Sequence, residues 1–69
     1  MAPRKKWSSE RPEYCQICKE VLIDFFIDGR TRFGRWALMC TECARYYGTG
    51  LGTGCGQLYR MDTLEKVAG

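Results

Sequence analysis

The pattern of hydrophobic and polar positions predicts a β-hairpin in the first half of the chain. Residues 21–28, VLIDFFID, are rich in branched and aromatic side chains, and alternation places Val21, Ile23, Phe25 and Ile27 on one face. Residues 32–39 form a second β-prone stretch and are the predicted partner strand. Between them, Asp28-Gly29 is a typical hairpin turn, because glycine accepts the positive φ that tight turns require. The tip of this hairpin would project the arginines that follow the turn.

After Met39 the pattern changes from that of a strand to that of a helix. Residues 40–48 have the acidic Glu42 early, the basic Arg45 late and Gly48 at the end. Charges in these places complement the helix dipole, and glycine favours the left-handed conformation that ends many helices. The pattern therefore predicts a short helix over these residues.

Glycine occupies every second position from Gly48 to Gly56. In an extended segment, this alternation leaves one face without side chains, so that backbone or an aromatic ring can approach closely. Residues 57–60 are then predicted as a third strand that closes the sheet, and residues 61–67 as a last helical turn or a frayed end. The chain is thus divided into a flexible basic tail, a folded domain, and a C-terminal tail or short helical turn: residues 1–13, 14–61 and 62–69.

The cysteines add the candidate chemistry. A chain of 69 residues makes one domain at most. Chains below about 70–80 residues need a disulfide, a metal or a partner in addition to their small core. Four of the five cysteines form the pattern C-x2-C-x21-C-x2-C, namely Cys15, Cys18, Cys40 and Cys43. Two CxxC pairs at about this separation are typical of a four-thiolate zinc site.

The predicted zinc is single and structural, because four protein ligands leave no position open for water. Iron in a rubredoxin-like site is the main alternative, and two short CxxC disulfides would cross-link almost nothing. A knuckle, a hairpin and then a helix that carries the second pair is the order of a treble-clef zinc finger, a small zinc-stabilised α+β fold. The alternative is a zinc ribbon, in which a second knuckle leads into a strand. The fifth thiol, Cys55, is interpreted as a small residue in a tight glycine loop.

The distribution of charge matters more than the total. A zinc ion with four thiolates carries a net negative charge, which offsets most of the formal net charge of +3. Two basic clusters remain, and they are candidates for contact with DNA, RNA or a protein partner: Arg4, Lys5 and Lys6 in the tail, and Arg30, Arg32 and Arg35 at the hairpin tip. Aromatic residues lie nearby: Trp7, Phe33 and Trp36.

Arginines beside exposed rings suit phosphate contact and base stacking. In the competing interpretation, Phe33 and Trp36 belong to the core and the arginines form an ordinary basic surface. For Trp7 we consider two roles, a ring that packs back on the domain and one that awaits a partner.

The sequence gives no support for an enzyme. The chain has no histidine, and the paired thiols are committed to the predicted metal. The CxxC pairs, together with the absence of a secretory signal and of any bilayer-length apolar run, predict reduced thiols in the cytoplasm.

The stretch Tyr14–Tyr59 resembles a group of small zinc-finger proteins found mostly in bacteriophages and prophages. Besides the paired CxxC, the resemblance is carried by three motifs: FIDGRT at 26–31, WALMC at 36–40, and YGTGLGTGCGQLY at 47–59. It implies a zinc fold and a phage origin, and it assigns no activity. Cys55 is not part of the group's pattern, and Ala44 stands where relatives can have a histidine.

The leading interpretation is a structural-zinc module that contacts nucleic acid through the hairpin arginines and the basic tail. The second is a phage accessory protein that docks on a host protein of transcription, replication or defence.

Overall fold

The computed structural model describes Trp7 and residues 10–69. Its elements form a small α+β domain with a four-stranded antiparallel sheet in the order β2-β1-β3-β4. In chain order they are β1 (Phe25–Arg30), β2 (Trp36–Met39), α1 (Thr41–Tyr47), β3 (Gly56–Arg60) and β4 (Lys66–Ala68). The predicted basic tail residues Arg4, Lys5 and Lys6 lie outside the described residues.

The sheet buries side chains on both of its faces. Ile27 on β1 pairs with Met39 on β2 and with Leu58 on β3. These three side chains line one depression together with Ala44 of α1, so the helix covers this face. Because successive side chains of a strand point to opposite faces, Phe26 lies on the other face. The strand β1 therefore supplies buried side chains to both faces of the sheet.

Trp7 covers the face of the sheet opposite α1. Its ring meets the rings of Phe26 and Tyr59 edge-on, at centroid distances of 5.4 and 5.5 Å, and those two rings stack on each other at 5.2 Å. The Trp7 backbone N–H donates to the Leu64 carbonyl at 2.8 Å. Of the two roles considered for Trp7, packing on the domain is the one that the structure contains.

The predicted position of the hairpin turn is wrong. Asp28 and Gly29 lie inside β1, and the chain turns over residues 31–34, where Gly34 has a φ of +91°. The backbone N–H and the Oγ1 of Thr31 donate to the Arg35 carbonyl at 2.7 and 2.8 Å and close this turn. Gly29 is needed for a different reason: a Cβ there would lie 3.2 Å from the Cys55 carbonyl oxygen. The absence of a side chain at Gly29 allows the start of β3 to pack closely against β1.

The four residues predicted to share one face of the strand over residues 21–28 differ in burial. Val21, Ile23 and Phe25 are exposed, and only Ile27 of that set is buried. Asp24 has a φ of +61°, so the chain bends at this residue, and β1 begins at the next one, Phe25. This kink shifts the phase of the alternation.

The predicted helix and third strand are confirmed as α1 and β3. The left-handed ending is not, because Gly48 has a φ of −77°. A Cβ at Gly48 would lie 2.5 Å from the Ala44 carbonyl oxygen, so close approach explains this glycine. β4 lies where we predicted a tail or a helical turn; Leu64, with a φ of +62°, precedes it, and Ala68 pairs with Leu58.

Phe26→Ala is expected to lower the free energy of unfolding by about 3–5 kcal/mol, because it removes a fully buried ring from the core. Phe33→Ala is the matched control: Phe33 is 72% exposed, so its loss should change the free energy by no more than ~0.5 kcal/mol. Urea denaturation followed by circular dichroism, in reducing buffer with the metal site saturated, measures both. Equal effects of the two substitutions would contradict the assignment of the core.

Candidate metal centre

The first cysteine pair lies in a tight turn that an isolated bridge between Tyr14 and Val21 closes. The Cys15 N–H donates to the Glu20 carbonyl at 2.8 Å, and the Lys19 N–H donates back to the Cys15 carbonyl at 3.0 Å. Lys19 has a φ of +66°, which reverses the chain directly after the pair. We call residues 14–21 the knuckle.

Gln16 fastens the knuckle to the edge of the sheet. Its backbone N–H donates to the Leu38 carbonyl at 2.9 Å, and its side-chain Oε1 accepts from the Leu38 N–H at 2.8 Å. Both backbone groups of one residue of β2 are thereby satisfied by a single knuckle residue. This positioning role of Gln16 was missed from the sequence, in which the residue is only one of the two between the first cysteines.

The second pair lies at the beginning of α1. Cys40 is the N-cap residue, and its Sγ accepts from the Cys43 N–H at 3.4 Å. The thiol thus takes the place of the oxygen that usually caps a helix, and it meets the partial positive charge of the helix N-terminus. The cap therefore places the Cys40 sulfur beside the first turn of the helix, which carries Cys43.

These elements bring the four predicted ligands together. The Sγ atoms of Cys15, Cys18, Cys40 and Cys43 all lie within 4.8 Å of one another. Those of Cys18 and Cys40 are 3.8 Å apart. An ion at the centre of a sulfur tetrahedron with Zn–S bonds of about 2.3 Å would separate its ligands by about 3.8 Å. The cluster has the donor set and the size to hold one metal ion.

The electrostatics of the cluster also fit a cation. Burial raises the pKa of the Cys15 thiol, but backbone N–H groups of Cys18, Cys40 and Ile17 outweigh it and lower the pKa to about 6. Burial and the neighbouring thiols raise the pKa of Cys43 far above its ordinary value. The Glu20 amide lowers the pKa of Cys18, but burial and the Cys15 thiol raise it by more.

The lowered pKa of Cys15 makes it the thiol that ionises first, and its negative charge helps to raise the pKa of Cys43. A bound cation would remove this repulsion, since metal ligation requires deprotonated sulfur.

Cys55 lies apart from the metal cluster, in the glycine-rich segment. Its N–H donates to the Gly52 carbonyl at 2.9 Å, and its carbonyl accepts from the Arg30 N–H at 2.7 Å. Its backbone thus joins the glycine turn to the end of β1, in agreement with the interpretation of a small residue in a tight loop.

The basic side chains of the hairpin tip are exposed to solvent. Arg30, Arg32 and Arg35 are exposed. Phe33 is 72% exposed and Trp36 49%, so the interpretation that these two rings belong to the core is wrong. Trp36 pairs with Arg30 across the strands, and the two side chains therefore share the sheet face opposite α1.

Three further rings form a surface feature that we call the ring row: Phe33, Tyr47 and Tyr46. The centroids of Phe33 and Tyr47 are 6.0 Å apart, and those of Tyr47 and Tyr46 are 6.5 Å apart. All three side chains are exposed. The contact between the hairpin tip and the helix end was not predicted. The one sequence signal was the Tyr46-Tyr47 pair, because neighbouring residues of a short helix cannot both face the core.

Comparison of the chain with protein-family models, with curated proteins and with solved structures finds no match in any of the three. The resemblance to the phage and prophage group therefore rests on its motifs alone. Within the described residues, no helix has both the length and the apolar character that crossing a bilayer requires.

Cys43→Ser is expected to abolish metal binding and the cooperative fold, because a serine hydroxyl does not ionise near neutral pH and cannot replace a buried thiolate ligand. Cys55→Ser is the control and should keep both. Metal content by plasma mass spectrometry and the far-ultraviolet circular dichroism spectrum report the two properties. Loss of metal from the Cys55 variant would show that the ligand set is different.

Proposed function

We propose that this chain is a treble-clef-like module built on one structural zinc ion and that it binds nucleic acid through its basic hairpin tip. The knuckle, the hairpin of β1 and β2, and α1 follow one another in treble-clef order. The second cysteine pair leads into a helix, which argues against the zinc ribbon.

The choice of zinc rests on the donor set and on the small size of the core. Four thiolates select soft or borderline ions and disfavour magnesium and calcium. Among the described residues, the buried core has seven apolar members, and two of them are cysteines of the cluster: Cys15, Leu22, Phe26, Ile27, Met39, Cys43 and Tyr59. Structural zinc contributes an apparent binding energy of about 10–16 kcal/mol in finger peptides, which is comparable to the whole net stability of a domain.

Native mass spectrometry is expected to find one zinc ion per chain, and exhaustive chelation under reducing conditions should unfold the protein. Zinc binding should weaken as the pH falls. The raised pKa values of Cys43 and Cys18 mean that zinc displaces protons from these thiols, and acid favours the protons. Titration with a zinc indicator between about pH 8 and pH 5 measures the trend. A red, iron-containing protein would refute zinc, and a fold that survives chelation would refute its structural role.

One observation carries the proposal of nucleic-acid binding: the hairpin tip presents arginines together with aromatic rings that the core does not use. Around this tip, the charge is strongly one-sided. Residues 29–41 contain no acidic residue and three arginines, Arg30, Arg32 and Arg35. Arginine forms bidentate contacts with phosphate and stacks on bases, so this composition suits a polyanion with exposed rings.

Replacing Arg30, Arg32 and Arg35 together by alanine is expected to weaken binding of a labelled oligonucleotide. It should also reduce the slope of log K against log salt by roughly 0.7–0.9 for each phosphate that an arginine no longer neutralises. The control is the triple lysine variant, which keeps the charges and should keep the slope. Fluorescence anisotropy at several salt concentrations measures both, and unchanged zinc content shows that the fold is intact. Equal affinity and slope in the wild type and the alanine variant would contradict the proposal.

A second candidate is a phage accessory protein that docks on a host protein in the cytoplasm. It is favoured by exposed apolar side chains beside the metal cluster: Tyr14, Val21 and Ile23, which are 55%, 59% and 72% exposed. Val21 and Ile23 line the same depression as Cys18 and Cys43. Binding to a protein that survives nuclease and is insensitive to the arginine substitutions would favour this candidate over the first.

A further inference from the structure

We propose that the nucleic acid is single-stranded and that its unpaired bases stack on the ring row, Phe33, Tyr47 and Tyr46. This inference rests on the proposed nucleic-acid function and specifies its ligand.

Hydrogen bonds join the backbone of the hairpin tip to the end of α1 and so hold the chain segments that carry Phe33 and Tyr47 together. The Arg32 N–H donates to the Tyr47 carbonyl at 2.7 Å, and Thr31 forms a bridge with Gly48. Directly after the helix, the Thr49 N–H and Oγ1 both donate to the Arg30 carbonyl, at 3.1 and 3.2 Å. These bonds position Phe33 against Tyr47 before any ligand arrives. A preformed aromatic surface loses little conformational freedom on binding.

The rings of the row lie outside the buried core. Phe33 is 72% exposed and Tyr46 62% exposed, while the two faces of the sheet are already covered by α1 and by Trp7. The rings contact one another and leave broad surface to solvent. The ring planes are tilted by 33° between Phe33 and Tyr47 and by 61° between Tyr47 and Tyr46, so each ring can stack separately on an unpaired base.

The spacing of the rings favours unpaired bases. Successive bases of one strand in a duplex are about 3.4 Å apart, and their faces are covered by their neighbours. The ring centroids lie 6.0 and 6.5 Å apart, nearly twice that distance. Neighbouring rings can therefore engage neighbouring bases only where a strand is stretched and unstacked. A single strand adopts such a conformation at little cost, whereas a duplex would first have to open.

The two ends of the ring row differ in charge. Arg32 precedes Phe33 and Arg35 follows it closely, so positive charge gathers at the hairpin end. Glu42 lies one helical turn before Tyr46, and the two side chains line the same depression at the other end. Phosphates should therefore approach the Phe33 end. In this arrangement, the arginines hold the backbone and the rings hold the bases.

The experiment compares the zinc-loaded protein with single-stranded and duplex oligonucleotides of the same sequence, about 12 nucleotides long, by fluorescence anisotropy. Both a DNA strand and an RNA strand are tested. We expect the single strand to bind more tightly than the duplex. Replacing Phe33 and Tyr46 together by leucine removes the aromatic faces and keeps apolar side chains. This change should weaken single-strand binding by at least about fivefold, the lower bound for loss of one stacked base, and should leave the salt slope unchanged.

Two controls separate stacking from general apolar contact. The variant Phe33→Tyr with Tyr46→Phe keeps both rings and should bind like the wild type. Tyr14→Leu removes an exposed ring of the knuckle, outside both the hairpin tip and the ring row, and should have little effect. All variants change exposed positions, and zinc content with circular dichroism verifies their folding.

The outcomes distinguish this inference from the function on which it rests. Salt-dependent binding with equal or higher affinity for the duplex would overturn the single-strand inference and leave the proposed function intact. The same holds if the leucine variant binds as tightly as the wild type. No binding to either oligonucleotide would overturn both. Single-strand preference that the leucine variant loses and the ring-preserving variant keeps is the result that supports the inference.

Discussion

The convergence of four sulfur atoms is the constraint on which the rest of this structure depends. The knuckle, the end of β2 and the first turn of α1 meet where the four Sγ atoms lie within 4.8 Å of one another. Thiolates this close repel each other, so full ionisation of the four sulfurs is favourable only when a cation binds among them. Cohesion at this point also depends on neutral groups, because Gln16 bonds both backbone groups of Leu38.

The sheet transmits this constraint to the rest of the domain. Met39 is the last residue of β2 and is fully buried, and the next residue in the chain is Cys40, the helix cap and a candidate metal ligand. β1 lies between β2 and β3, so a shift of the metal cluster would move the strand that carries the core. The close approach of Gly29 to β3 and of Gly48 to Ala44 leaves little space for adjustment. In so small a domain, the cysteine cluster, the core and the tight backbone contacts adjoin one another, and we expect them to unfold together.

The surface divides into regions of different character as a consequence of this packing. The hairpin tip and the end of α1 are joined by backbone bonds, and together they present the arginines and the ring row. The exposed apolar side chains of Val21 and Ile23 lie instead beside the metal cluster. Tyr46 and Tyr47 of the ring row line the same depression as Val21 and Ile23, so the proposed nucleic-acid surface and the alternative protein-docking surface adjoin there. The arginines of the hairpin tip do not line this depression, and their substitution addresses the nucleic-acid surface without changing the other.

The sequence by itself determined the local features of this protein. The spacing of the cysteines identified the four residues that meet, and the charges and glycine around residues 40–48 identified α1, because caps, helix dipoles and CxxC turns depend on neighbours along the chain. It also identified β3. For Trp7, it offered packing on the domain as one of two alternatives. The tertiary structure alone decided the position of the turn, the buried face of the first strand and the presence of β4. Gly29 lies within a strand because β3 packs against it, and the left-handed Asp24 reverses the alternation that a straight strand would have. The ring row depends on a contact between residues 33 and 47, and no local pattern encodes which distant side chains a fold brings together.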